Sequence, residues 1–199
     1  CGYCDFNTYT STELRGVSQN SFLDNLGTEI SFGSKVIENA GLPKRKFSSI
    51  FFGGGTPTQL AADQLAAVLG LLGEEYGIVP GAEITTEANP DNVDEQYFET
   101  LARAGFTRVS IGMQSAVPAV LATLDRTHNP ENVAKAVAAA KSFGLQTSVD
   151  LIYGTPGESL NDWRISLNEA VALDVDHISA YSLIVEPGTK LAQQDRKST

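Results

Sequence analysis

Two thiols stand at the head of this sequence. Cys1 and Cys4 are its two cysteines, two residues apart in Cys1-Gly-Tyr-Cys4. A Cys-x-x-Cys turn brings both sulfurs to one side of the backbone, where they can share a metal or cluster or cycle as a redox disulfide. A structural zinc takes about four protein ligands, and the other soft candidates, His128 and His177, lie far apart in dissimilar contexts. Zinc is therefore a poor fit. A thiol-disulfide oxidoreductase would place the pair after a strand and at a helix start, where the first thiol's pKa falls. Here Asp5, Asn7, Thr8 and Thr10 follow as a polar, turn-rich run. On this stretch alone a chance pair of cysteines stays open. The numbering opens on cysteine rather than methionine, so the chain reads as trimmed.

The elements that must position further chemistry alternate along the chain. Residues 22–39 carry Phe22, Leu23, Leu26, Ile30, Val36 and Ile37 at helical spacing, weakened by Gly27 and Gly33. Strands are predicted at 47–52, 83–88, 108–114, 147–153 and 177–184, the first as an apolar run covered on both faces. Helices are predicted at 60–76, 94–104, 118–124, 130–143 and 160–173, with Gly77 and Gly105 as stops. Residues 193–199 are polar and carry no element in this reading. Strands alternating with helices predict an α/β fold with right-handed crossovers and a parallel sheet, doubly wound or curled into a barrel.

In either arrangement, chemistry gathers at the carboxyl ends of the strands. Those ends carry Gly53-Gly-Gly-Thr-Pro-Thr58, Glu87, Gln114, Asp150 with Tyr153, and residues 184–188. Glycines there let backbone approach a ligand and offer N–H and C=O groups; alone, the triplet is as easily an ordinary tight turn. No lysine follows it, which disfavours a nucleotide-hydrolysing P-loop.

Composition narrows the classes. The 199 residues, 42% hydrophobic, suffice for one well-buried domain. A net charge of -10, with Lys44-Arg45-Lys46 the main basic cluster, argues against general nucleic-acid binding. Sparse cysteine fits a reducing cytoplasm, and neither a signal peptide nor an apolar run of about 20 residues is seen.

Six motifs in one order resemble a known family. They are Cys1-x-x-Cys4-Asp-Phe-Asn7, Gly53-Gly-Gly-Thr-Pro-Thr58, Glu87-Ala-Asn-Pro90, Ile111-Gly-Met-Gln-Ser115, Leu124-Asp-Arg-Thr-His128 and Val149-Asp-Leu-Ile-Tyr-Gly154. Together they resemble the radical S-adenosylmethionine (SAM) proteins of the oxygen-independent coproporphyrinogen III oxidase group, most closely its heme-chaperone branch. The resemblance spans nearly the whole chain. It implies a partial (β/α)6 radical SAM barrel, incomplete at its N-terminus, with residues 1–199 forming the core domain without its first strand or its C-terminal part. It also implies a 4Fe-4S cluster on a Cys-x-x-x-Cys-x-x-Cys loop, with Cys1 and Cys4 as metal ligands matching the second and third cysteines. The first would lie four positions before Cys1.

Carried over by position, the resemblance places Tyr3 beside cluster and SAM. Gly54, Gly55 and Thr56 would meet the amino-acid end of SAM, and Glu87, Gln114, Arg126 and Asp150 would complete the pocket. Ile184, a weaker match, would offer backbone to the adenine. Each has a plainer alternative: Glu87 and Asp150 as strand-end caps, Arg126 as a surface ion partner worth under about 1 kcal/mol, and Gln114 as a satisfied loop amide. The implied chemistry is reductive cleavage of SAM, supplied by cofactor and cluster while the barrel orients and excludes solvent.

The family's oxidases carry a further cysteine two positions after the last cluster ligand, where this chain has Phe6. That departure favours a chaperone binding heme and passing it to an acceptor protein, one that could sit at a membrane, with an electron donor for the cluster. Porphyrinogen oxidation is the alternative enzyme. A thiol-disulfide oxidoreductase is the alternative of another class. His128 and His177 are heme-ligand candidates by residue type only.

Overall fold

The computed structural model describes residues 2–6 and 19–198. Strands β1 (Phe47–Phe52), β2 (Ile78–Ala88), β3 (Arg108–Gln114), β4 (Gln146–Tyr153) and β5 (His177–Ser182) form one parallel sheet in the order β1-β2-β3-β4-β5. Around it run α1 (Gln19–Asn39), α2 (Ala62–Tyr76), α3 (Glu95–Ala104), α4 (Pro118–Thr123), α5 (Pro130–Ser142), α6 (Leu160–Ala172) and α7 (Lys190–Ser198). Strand order follows chain order without a reversal, so the doubly wound alternative, which needs one, is excluded. The sheet curls into a partial barrel.

Period-two alternation divides each central strand between two faces. Ile84 and Ala88, Val109, Ile111 and Met113, and Val149 and Leu151 turn toward the helices. There they join Leu65 and Leu69 of α2, Phe98 and Leu101 of α3, and Val133, Ala136, Val137 and Ala140 of α5. The opposite face is polar. Ser148 Oγ donates to Ser110 Oγ at 2.8 Å, and Ser110 Oγ donates to Asp150 Oδ2 at 2.8 Å.

Local sequence fixes the helix ends. Asp94 Oδ1 accepts the Tyr97 N–H at 2.8 Å, and Gly105, at φ 103°, closes α3 in the left-handed region. At α6, Ser159 and Asp162 form a reciprocal capping box.

Four expectations need correction. The predicted strand 83–88 starts five residues earlier, at Ile78, because the β1–β2 register shifts between Phe47↔Ile78 and Ser49↔Glu83. That irregularity absorbs Pro80 and Gly81, the turn formers that disguised the strand. β1 is not covered on both faces: Ile50 and Phe52 pack on the core while Phe51 is 62% exposed. β5 ends at Ser182, two residues short of the expectation. Residues 193–198 of the polar tail are helical, forming the greater part of α7, whose Leu191 is 2% exposed.

Phe98 of α3 is fully buried in the core that also takes Leu65 and Leu69 of α2. Phe98→Ala is expected to lower stability by about 3–5 kcal/mol, measured by urea unfolding.

Candidate functional site

A cavity of about 520 Å³ opens at the carboxyl ends of the strands, within the usual size of a small-molecule site. Tyr3, Cys4, Gly54, Gly55 and Thr56 line it, together with Glu87, Gln114, Arg126, Asp150 and Ile184. These are the residues picked out from the sequence, apart from Cys1, which lies outside the described residues. Among the described residues no group of three or more His, Cys, Asp or Glu side chains is arranged to hold a metal.

The β1 exit supplies a backbone cradle. Gly54, at φ 118°, donates its N–H to Glu87 Oε2 at 3.2 Å, and no atom stands within 4 Å of where its Cβ would be. Only glycine takes that conformation easily while leaving the space open. Buried Thr58 accepts the Asn89 N–H at 3.1 Å, tying the glycine loop to the exit of β2.

At the end of β3 the alternation is broken. The register passes from Gly112↔Asp150 to Gln114↔Leu151, and Gln114 sits at φ 55°. A bulge at this point re-aims a side chain, here toward the cavity. Gln114 Oε1 is buried without a hydrogen-bond partner among the described residues. Gly112 makes the approach possible: a Cβ there would stand 2.8 Å from Gln114 Nε2 and 3.4 Å from Arg126 Nη2. Past the bulge, Ser166 of α6 receives the Ala116 N–H at 3.0 Å and pairs with Ser115 Oγ at 2.9 Å, both serines fully buried.

Charge is concentrated in this space. Burial raises the pKa of Glu87, against the Gly54 N–H that lowers it, and Asp150 adds to the rise. Burial also raises the Tyr3 phenol; Arg126 opposes this, while Cys4 and Asp150 add to it, so Tyr3 stands among all three. Neither histidine lines the cavity. His128 is buried, and its pKa is lowered first by burial and then by Arg126. His177 opens β5, at the sheet edge opposite the cavity.

The sequence reading did not single out Gly112, Asn89, Tyr181 or Glu186, which also line the space. Gly112 and Asn89 lay inside quoted motifs, and Glu186 lay in the 184–188 stretch. Tyr181 gave no signal beyond its place in a predicted strand.

Comparison with known proteins resolves the family. The Radical SAM superfamily model matches residues 1–170. The chain belongs to the radical SAM superfamily. Among curated relatives, it is similar to the heme chaperone HemW of Mycobacterium tuberculosis, with 46% identity over 99% of this chain and 50% of that protein. It is also similar to the heme chaperone HemW of Bacillus subtilis, with 34% identity over 95% of this chain and 48% of that protein. Among solved structures, the Escherichia coli coproporphyrinogen III oxidase HemN, a radical SAM enzyme, superposes with a TM-score of 0.81. It shares 26% identity over 98% of this chain and 44% of HemN. The chain thus spans about half the length of the curated relatives it matches. No described helix is long and apolar enough to cross a membrane. For a radical SAM protein, a cavity at the strand ends beside the Cys-x-x-Cys segment is the expected place for chemistry.

Glu87 gives this site a pH signature. Its pKa is raised in the folded state above the ordinary carboxylate value. The folded protein therefore holds a proton that the unfolded chain releases, and Glu87 costs stability as pH rises through the window above 4.5. Glu87→Gln is expected to gain stability over the parent between acidic and neutral pH, with no such gain below that window. Urea unfolding across pH checks it.

Proposed function

We propose that this chain is the radical SAM core of a heme chaperone of the HemW kind. In this reading the whole protein binds heme and transfers it to an acceptor protein, works in the cytoplasm, and draws electrons from a separate donor. The observation that supports it is the convergence of Tyr3, Gly54, Gly55, Thr56, Glu87, Gln114, Arg126 and Asp150 on one cavity that Cys4 also lines.

The residues present fit a 4Fe-4S cluster and SAM. Cys1 and Cys4 would hold the cluster with a third thiolate from outside this sequence. The open backbone at Gly54 suits the amino-acid end of SAM. Gln114 Oε1, an acceptor lacking a donor among the described residues, suits a ribose hydroxyl or an amino group. When bound, the cluster and SAM supply reductive cleavage of a carbon–sulfur bond.

The chain's own residues bind and orient. Glu87 and Asp150 attract ammonium or hydroxyl donors, and Arg126 takes a carboxylate. Tyr3, beside Cys4 in the lining, shields the cysteine side of the cavity from water. Asp150 is held in place by the Ser110 hydroxyl at 2.8 Å. Phe6, also lining the cavity and 63% exposed, offers no thiol at the position where the oxidases of the resembling group carry a cysteine. That favours heme handling over porphyrinogen oxidation.

Full-length protein, reconstituted anaerobically with iron and sulfide, is expected to bind one 4Fe-4S cluster and to give a heme spectrum on titration. It should not decarboxylate coproporphyrinogen III with SAM. Decarboxylation without heme binding would make it the oxidase, and an iron-free protein with a measurable dithiol potential would make it a thiol-disulfide oxidoreductase. Cys4→Ser is expected to abolish cluster retention by iron and sulfide count. Asp150→Asn, which removes a charge-assisted contact, is expected to weaken SAM binding by roughly tenfold or more, read by equilibrium dialysis.

A further inference from the structure

We infer that a clasp formed by the turn at 124–126 and the start of α7 holds the cysteine segment in register, making Gly2 and Lys190 positioning residues for its thiols. The inference rests on reading Cys1 and Cys4 as cluster ligands.

Gly2 is bonded on both sides of its peptide backbone. Its N–H donates to the Leu124 carbonyl at 3.1 Å, and its carbonyl accepts the Leu191 N–H at 2.8 Å. These two anchors belong to separate parts of the chain. A third bond closes them into a ring: Lys190 Nζ donates to Asp125 Oδ1 at 2.7 Å. Lys190 also holds the Asp125 carboxyl below its ordinary pKa.

The ring leaves no room for a side chain at Gly2. A Cβ there would stand 2.9 Å from Asp125 Cβ and 3.6 Å from the Leu124 carbonyl oxygen. Asp125 Cβ is bound directly to the main chain, so relief requires moving backbone, not rotating a flexible tip. Asp125 itself sits at φ 55°, outside the range non-glycine residues prefer. Glycine between the cysteines is thus required by packing, independently of what the cysteines hold. Leu191, 2% exposed, plugs the foot of α7 into the fold.

Position gives the clasp its consequence. Tyr3 and Cys4 follow Gly2 directly, Arg126 follows Asp125 directly, and all three line the cavity. The thiol and the guanidinium therefore hang from the same ring. Because the Lys190–Asp125 pair is exposed, it adds little to global stability, and its effect is confined to where the cysteine segment lies.

The test uses full-length protein carrying Gly2→Ala, Lys190→Met or Lys190→Arg, with Lys44→Met as a control that breaks a remote ion pair to Glu75. After reconstitution, iron loss to a ferrous chelator is expected to quicken about threefold in Lys190→Met and roughly tenfold or more in Gly2→Ala. Lys190→Arg and the control should match the parent, with thermal midpoints of the Lys190 variants unchanged. In metal-free protein, alkylation of the thiols by iodoacetamide should quicken in the same order. Lys190→Met and Gly2→Ala proteins that lose iron and alkylate at the parent rates would overturn the clasp. If the parent takes up no cluster, the reading of Cys1 and Cys4 as ligands fails, and the alkylation series still decides whether the clasp exists.

Discussion

Everything in this molecule depends on strand order matching chain order. With each right-handed crossover stepping the same way, successive helices land on one face of the sheet. That face carries the apolar burial, each well-buried side chain contributing about 1.5–3 kcal/mol. The other face is relieved of that duty and can hold Ser110, Ser148 and Asp150. A buried hydroxyl without a partner costs about 1–3 kcal/mol, and the Ser148–Ser110–Asp150 chain avoids that by bonding each group to the next. A doubly wound sheet would have needed helices, and hence apolar side chains, on both faces.

The rim is stiffened loop by loop. Thr58 ties the glycine loop to Asn89, and Ser115 with Ser166 ties the β3 exit to α6. After β4, Glu158 Oε2 accepts the N–H groups of Gly154 and Thr155 at 2.7 and 3.1 Å. The cysteine segment is tied by Gly2. The exits of β1 to β4 are therefore fixed by contacts that do not use the side chains of Glu87, Gln114 or Asp150, which lowers the ordering cost of binding a ligand in the cavity.

Much of this was legible in the sequence, for a physical reason. Helix and strand periods differ, and glycine stops such as Gly77 and Gly105 mark ends that any reader of the pattern meets. The glycine loop, Glu87, Gln114 and Asp150 could be picked out because each fell at a predicted strand end, whereas Tyr3 and Arg126 were reached only through the resemblance. What escaped depends on pairings that no single segment encodes. The early start of β2 is hidden by Pro80 and Gly81, which read as a turn until the irregular pairing with β1 accommodates them. The bulge that turns Gln114 inward exists only in register with β4. Helix α7 has a polar sequence and is anchored by one buried leucine and by contacts near Asp125 and Gly2. The requirement for glycine at position 2 is likewise invisible until Asp125 is seen against it.

Electrostatics then narrows what the cavity can accept. Asp5, Glu87, Asp150 and Glu186 line it against the Arg126 guanidinium, in a chain of net charge -10. A phosphate-rich nucleotide would meet repulsion there from most directions, in agreement with the lack of a lysine after the glycine triplet. A ligand carrying a positive centre near Glu87 has the opposite effect: by stabilising the ionised carboxylate it lowers a pKa that burial and Asp150 had raised. Binding of such a ligand must release protons in the window above pH 4.5. Carboxylates on one side and a guanidinium on the other suit an amino acid's ammonium and carboxylate at once, with an excess of negative charge left over for a sulfonium.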